Sequence, residues 1–161
     1  MEQVVLILGS NQGDRLVNLK RAIDFLEESI GAVMKRSRVY TSESWGYDGQ
    51  EFLNQVIVLQ SAVYPLEILR KIKEFEKAQG RIDRIGEYMD RVIDIDILYI
   101  GAHIIDLPGL KVPHRSIENR RFVLIPLAEI LSVFMHPVLA KTSEELLESC
   151  EDLGKVELYH V

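Results

Sequence analysis

Two aspartates, Asp94 and Asp96, stand inside the otherwise apolar run RVIDIDIL, residues 91–98. On a β-strand, successive side chains point to opposite faces. Read as a strand, the run puts Ile93, Ile95 and Ile97 on a face that can be buried. Both carboxylates then share the other face, about 7 Å apart by the strand rise. One reading is a solvated, open sheet face that tolerates two acids. The other is chemical. Acidic residues are depleted in strands, and two like charges this close repel unless a cation lies between them. A carboxylate pair with few further ligands suits Mg2+, which keeps several waters and completes its shell with phosphate oxygens. Arg81, Arg84, Arg91, Arg115, Arg120 and Arg121 lie within one quarter of the chain. The planar guanidinium matches phosphate geometry. Metal-assisted phosphate chemistry is the sharper expectation.

The composition narrows what such a site can serve. A chain of 161 residues fits one domain, 1–161, and 47% hydrophobic content is enough for a real core. The net charge of −6 argues against broad nucleic-acid binding, which needs a basic surface. Cys150 is the single cysteine, which excludes an internal disulfide and thiolate metal sites. The opening MEQVVLILGSNQGD has no basic leader, and its apolar run is too short to span a membrane. A soluble cytoplasmic protein is expected. GSNQGD, residues 9–14, follows a strand as a phosphate-binding loop would. It lacks both the Gly-Lys-Ser/Thr ending and the dinucleotide glycine pattern, so it reads as a turn feeding a helix cap.

The elements that must position the aspartates follow from periodicity. Gln3 to Gly9 reads as a strand. Leu16, Leu19, Ile23, Leu26 and Ile30 recur at helical spacing, and Gly31 supplies the stop. Val33 to Thr41 reads as a strand, 41–51 as a long loop, and Phe52 to Gln60 as a strand. Pro65 opens a second helix that ends at Gly80. A second long loop precedes the strand at 91–100. The order βαββαβ is the split βαβ, ferredoxin-like pattern: an α+β sandwich of mostly antiparallel strands with both helices on one face. The last third reads as a hairpin over 103–112, then helical stretches at 120–130 and 143–148, the latter with a Ser cap at Ser143.

Five landmarks in order carry a resemblance over nearly the whole chain: LGSN at 8–11, FLN at 52–54, EKAQGR at 76–81, RVIDIDIL at 91–98, and VPH with NRRFVLIPLAEI between 112 and 130. Together they resemble the 6-hydroxymethyl-7,8-dihydropterin pyrophosphokinase family of the folate pathway. That resemblance implies transfer of pyrophosphate from MgATP to a pterin hydroxymethyl group, with release of AMP. It implies two Mg2+ ions on Asp94 and Asp96, with Arg81 and Arg91 on the phosphates as further catalytic groups. His114 and Arg120 would hold the triphosphate, and Glu76 and Ile97 would help form the nucleotide site. Asn54 would recognise the pterin amide edge, Phe52 and Phe122 would sandwich the ring, and Ser42, Glu43 and Trp45 would line its rim. ATP and the pterin would be the small-molecule partners of a monomer, with no nucleic acid and no membrane. The departures are Tyr88, Met89 and Asp90 before the signature arginine, and Arg115 where a tyrosine is familiar.

The residue types suit these roles. A pterin is flat with a polar edge, and needs aromatic faces and an amide that donates and accepts. Asn54 and Phe52 share parity on one strand. Glu76 falls in the last turn of its helix, where the dipole disfavours a carboxylate, which hints at a use beyond stability. The loops 41–51 and 80–90 are expected to close over both substrates. Two rivals fit less well: a ferredoxin-like ligand-binding module without catalysis, and a metal-dependent nuclease, against which the acidic charge argues.

Overall fold

The computed structural model describes residues 1–43, 50–80 and 92–160. In chain order the elements are strand β1 (Glu2–Ser10), helix α1 (Arg15–Ser29), strands β2 (Ala32–Arg36), β3 (Tyr40–Ser42) and β4 (Phe52–Ser61), and helix α2 (Pro65–Ala78). Strands β5 (Asp94–Ile100), β6 (Ile105–Leu107) and β7 (Leu110–Val112) follow, then helices α3 (Arg121–Leu131) and α4 (Ser143–Glu148) and strand β8 (Val156–Leu158). The main sheet runs β5-β1-β4-β3-β8, with β2 also paired to β4. Every strand pairing is antiparallel. The expected ferredoxin-like order is present: the first and last strands of the βαββαβ unit lie side by side, and the second and third pair beyond them.

Local chemistry explains the helix ends. Asp14 caps α1 by accepting from the Val17 amide at 3.2 Å. Pro65 occupies the first turn of α2, where a missing amide hydrogen costs nothing. Gly80, just past the end of α2, takes φ +95°, a conformation that favours glycine.

The two sheet faces have different tasks. Leu6, Leu8, Leu53, Ile57, Ile95 and Ile97 pack against α1 and α2, through Leu19, Leu26, Ile68 and Ile72 among others. The opposite face is not open, contrary to the expectation drawn from the aspartates. Val5, Ile7, Val56, Val58, Leu98 and Tyr99 are buried there under Val123, Leu124 and Leu127 of α3 and Leu146 of α4. The C-terminal third thus forms a second layer. The unbroken buried run Val4–Leu8 is the mark of a strand covered on both sides.

Several elements differ from the periodicity, beginning with the strand expected over 91–100, which starts at Asp94. The strand expected over 33–41 is two strands. Ser37 interrupts it, donating its amide to Val56 O at 2.8 Å and accepting the Val56 amide on its hydroxyl at 3.0 Å. The cap of α4 is Thr142, not Ser143. Thr142 and Glu145 form a reciprocal capping box, while Ser143 is buried inside the first turn. Strand β8 was not expected at all; three residues at a sheet edge carry too short a pattern to read. Among the described residues, no helix is long and apolar enough to cross a membrane.

Candidate active site

Cross-strand partners share a face, so the register gives the layout of the second face directly. Tyr40, Asn54, Gly9 and Asp94 form one row across β3, β4, β1 and β5. Val56, Ile7 and Asp96 form the adjacent row, and Ser42 and Phe52 pair on the other side. The face therefore changes from apolar beneath α3 and α4 to polar at the end carrying Ser42, Asn54, Asp94 and Asp96. The shared parity of Phe52 and Asn54 is as expected.

A β-bulge marks the boundary. Leu6 pairs with Ile97, but Val5 pairs with Tyr99, leaving Leu98 as the extra residue of β5. Both Leu98 and Tyr99 thereby reach the layer under α3. The carbonyl of Leu98 accepts the His114 amide at 3.0 Å, which fixes the segment after β7 beside the aspartates.

Asn54 is 3% exposed. Its amide nitrogen donates to the Ser42 hydroxyl at 2.7 Å, which sets the orientation of the amide. Phe52 and Phe122 are both half-buried, on β4 and at the start of α3. The Arg120 guanidinium lies 5.9 Å from the centre of the Phe122 ring. Glu43 is exposed immediately after β3.

Asp94 and Asp96 are half-buried on the same face. The Asp96 carboxyl is pushed up to about 7, by withdrawal from water first and then by the charges of Asp94 and Glu76; Arg120 and Lys73 partly offset this. Glu76 is 1% exposed and accepts the Ile95 amide at 2.9 Å. Because β5 is a sheet edge, its outward amides need partners, and this carboxylate supplies one beside the two aspartates. Lys73 lies 3.6 Å from Glu76. Among the described residues no group of three His, Cys, Asp or Glu side chains assembles as a metal cage. Two adjacent carboxylates, one resisting ionisation through burial and then through its neighbour's charge, are a donor set that Mg2+ fits, since that ion retains water ligands.

Beyond the edge of β5 lies a pocket of about 340 Å³, lined by Leu69 and Lys73 of α2, Ile95, Asp96 and Ile97 of β5, Gly109 of the β6–β7 turn, Leu110 and Lys111 of β7, and His114 and Arg115. The His114 imidazole is shifted downward, by burial first and then by Arg120 and Arg115. The described site residues thus fall into two territories, one over β3 and β4 and one outside β5, with Asp94 and Asp96 between them.

The protein-family model for 7,8-dihydro-6-hydroxymethylpterin-pyrophosphokinase (HPPK) matches residues 5–132. The chain is 42% identical over 146 residues to 2-amino-4-hydroxy-6-hydroxymethyldihydropteridine pyrophosphokinase of Aquifex aeolicus, covering 90% of each. It is 38% identical over 141 residues to the enzyme of that name from Porphyromonas gingivalis, covering 85% of this chain and 95% of the relative. The chain belongs to the HPPK family.

Other HPPK relatives are longer. The mitochondrial folate synthesis bifunctional protein of Pisum sativum is 38% identical over 131 residues, but the match spans 25% of it. A crystal structure of Plasmodium falciparum HPPK-DHPS with pterin and p-hydroxybenzoate has the same fold, with TM-score 0.74 at 18% identity over 91% of this chain. The chain spans under half, 42%, of that protein.

Of the HPPK site residues expected from sequence, Asp94, Asp96, Ser42, Asn54 and Phe52 share one sheet face. His114 and Ile97 line the outer pocket, and Phe122 and Arg120 start the helix that covers the face. Glu76 stands behind β5 as a strand anchor, bonded to backbone. Arg81, Arg91 and Trp45 lie outside the described residues, as do the departures Tyr88, Met89 and Asp90. Leu69, Lys73, Leu110 and Lys111 line the pocket and were not singled out from sequence. Lys73, one helical turn before Glu76, was the one with a readable signal. The hairpin residues had none, because their approach to β5 is tertiary.

Proposed function

We propose that the protein transfers the pyrophosphoryl group of ATP to the hydroxymethyl oxygen of 6-hydroxymethyl-7,8-dihydropterin in folate biosynthesis, releasing AMP. The observation that carries this reading is the placement of Asp94 and Asp96 between the Asn54 territory and the pocket outside β5. A reaction joining a flat polar heterocycle to a nucleotide phosphate needs that order. The Asn54 amide hydrogen-bonds the pterin edge, held in orientation by Ser42, and Phe52 and Phe122 cover the ring faces. Leu69, Ile97 and Leu110 offer an apolar wall to the nucleotide base. His114, with Arg120, holds the phosphates. Arg81 and Arg91 are assigned to the phosphates on family resemblance, and Trp45 and Glu43 to the rim of the pterin site.

The hydroxymethyl oxygen attacks the β-phosphorus in line. A new P–O bond forms, the bond to the α-phosphate oxygen breaks, AMP leaves, and the hydroxyl proton is released. Two Mg2+ ions on Asp94 and Asp96, when bound, offset charge that spreads over the phosphate oxygens. A cytoplasmic monomer is the accompanying proposal. The test is to incubate the protein with MgATP and the hydroxymethyl dihydropterin and to follow AMP and the pterin diphosphate. AMP without a pterin product, or DNA cleavage, would replace this reading.

The raised Asp96 carboxyl gives a second measurement. In the folded chain it holds its proton up to about 7, whereas the unfolded chain releases it near the ordinary carboxylate range. Over that window the unfolded state binds fewer protons, so the metal-free fold loses stability as pH rises and the loss is complete above about pH 7. Mg2+ binds the ionised pair. Its addition should raise Tm more at about pH 8 than at about pH 5.5. Asp96→Asn should remove most of that difference, and an equal Mg2+ effect at both pH values would contradict the assignment.

A further inference from the structure

Gly9, the last residue but one of β1, is flanked by strands on both sides, opposite Asn54 on one and opposite Asp94 on the other. Glycine weakens a central strand, and in that setting it often marks a close approach by a ligand or another backbone. No backbone demand explains it here, because Gly9 is not among the residues of positive φ. Alanine could adopt the same extended conformation. What alanine could not do is leave the space above the strand unchanged. A Cβ on Gly9 would stand 3.2 Å from the Asn54 amide oxygen and 3.5 Å from the Phe52 ring. It would project from the same face as Ser42, Asn54 and Asp94, toward the two groups assigned to hold the heterocycle.

The row has a length. Asn54 and Asp94 are separated by two inter-strand spacings, about 10 Å. A substrate whose ring edge bonds Asn54 and whose reacting oxygen reaches the aspartates must cross the middle strand between them. The residue it crosses is Gly9. We infer that Gly9 is the specificity-determining floor of the ring slot: its missing side chain lets a flat bicyclic heterocycle lie from Asn54 to Asp94. This rests on the proposed pterin pyrophosphokinase reading and adds the residue that sets the clearance of the slot. The nucleotide pocket lies on the far side of β5, lined by none of Gly9, Phe52 or Asn54. Obstruction at Gly9 therefore acts on one substrate and not the other.

The test is Gly9→Ala, with calorimetric titration of the hydroxymethyl dihydropterin and, separately, of a non-hydrolysable MgATP analogue. Because one methyl group in a fitted slot changes discrimination by about ten-fold or more, pterin affinity should fall by at least that factor. Nucleotide affinity should stay within about two-fold, and Tm should change little, because the gain from replacing a strand glycine is offset by the 3.2 Å approach to the Asn54 oxygen. Unchanged pterin affinity, or parallel losses of both ligands with a falling Tm, would overturn the inference and make Gly9 a packing residue. Should Gly9→Ala fail to fold, the wild-type protein decides. On titration with the pterin, Gly9 Hα should show cross-relaxation with the ring C7 protons, and its absence overturns the inference. The proposed reaction is judged separately, by AMP production in the wild-type enzyme. Turnover by wild type and by Gly9→Ala alike would sink the slot and spare the reaction.

Discussion

Asp96→Ala is expected to lower turnover by roughly 10³-fold or more, since losing a carboxylate proposed to hold Mg2+ removes several kcal/mol of charge stabilisation at the phosphates. Asp94→Ala should behave alike, because both side chains share one face of β5 and the proposed metal site uses both. The distinguishing feature is stability. An ordinary damaging substitution at a half-buried position costs folding free energy. Here the Asp96 carboxyl is already pushed up to about 7 by desolvation, Asp94 and Glu76, so the ionised form opposes folding. Without Mg2+ and above about pH 7, Asp96→Ala should therefore keep or raise Tm while abolishing the Mg2+-dependent increase. The Ile95 amide keeps its Glu76 partner in that variant, so β5 stays anchored. Single-turnover AMP formation and thermal unfolding, each with and without Mg2+, are the measurements. A turnover within a few fold of wild type would end the metal assignment.

Asn54→Ala is expected to weaken pterin binding by roughly 10²-fold or more while leaving nucleotide binding nearly unchanged, because a site built to hydrogen-bond a polar edge loses most when its partner is removed. Asn54 is buried and its amide is oriented by the 2.7 Å bond to the Ser42 hydroxyl. The pocket assigned to the nucleotide lies two strands away across β1 and β5. Ser42→Ala should give a smaller loss of the same kind, since it removes the group that orients the amide and leaves the amide in place. Titration with each ligand alone separates the cases. Equal losses for pterin and nucleotide would mean that Asn54 holds the sheet rather than the substrate.

The amino-acid sequence by itself determined the βαββαβ order of the core, the strand faces that meet α1 and α2, and the placement of Asp94 and Asp96 on one face of their strand. The reason is that periodicity and residue type are local quantities. Ile93, Ile95 and Ile97 could only face a core, which put Asp94 and Asp96 together on the reverse. Phe52 and Asn54 likewise share a face because they are two residues apart. The five ordered landmarks added the family.

Other features depended on contacts between distant segments, which no local pattern records. The second sheet face is covered because α3 and α4 return over it, and the apolar run Val4–Leu8 was the one local trace of that. The Leu98 bulge is a mismatch between β1 and β5, and it decides that Tyr99 joins the layer under α3 while the Leu98 carbonyl receives His114. Glu76 serves an edge amide nineteen residues away, which makes a carboxylate in a last helical turn a strand anchor. The row from Asn54 through Gly9 to Asp94 exists only in the register of three strands. That register is set by burying both faces of β1 at once. A slip of one residue would turn Val5 and Ile7 to the wrong layer and separate Asn54 from the aspartates.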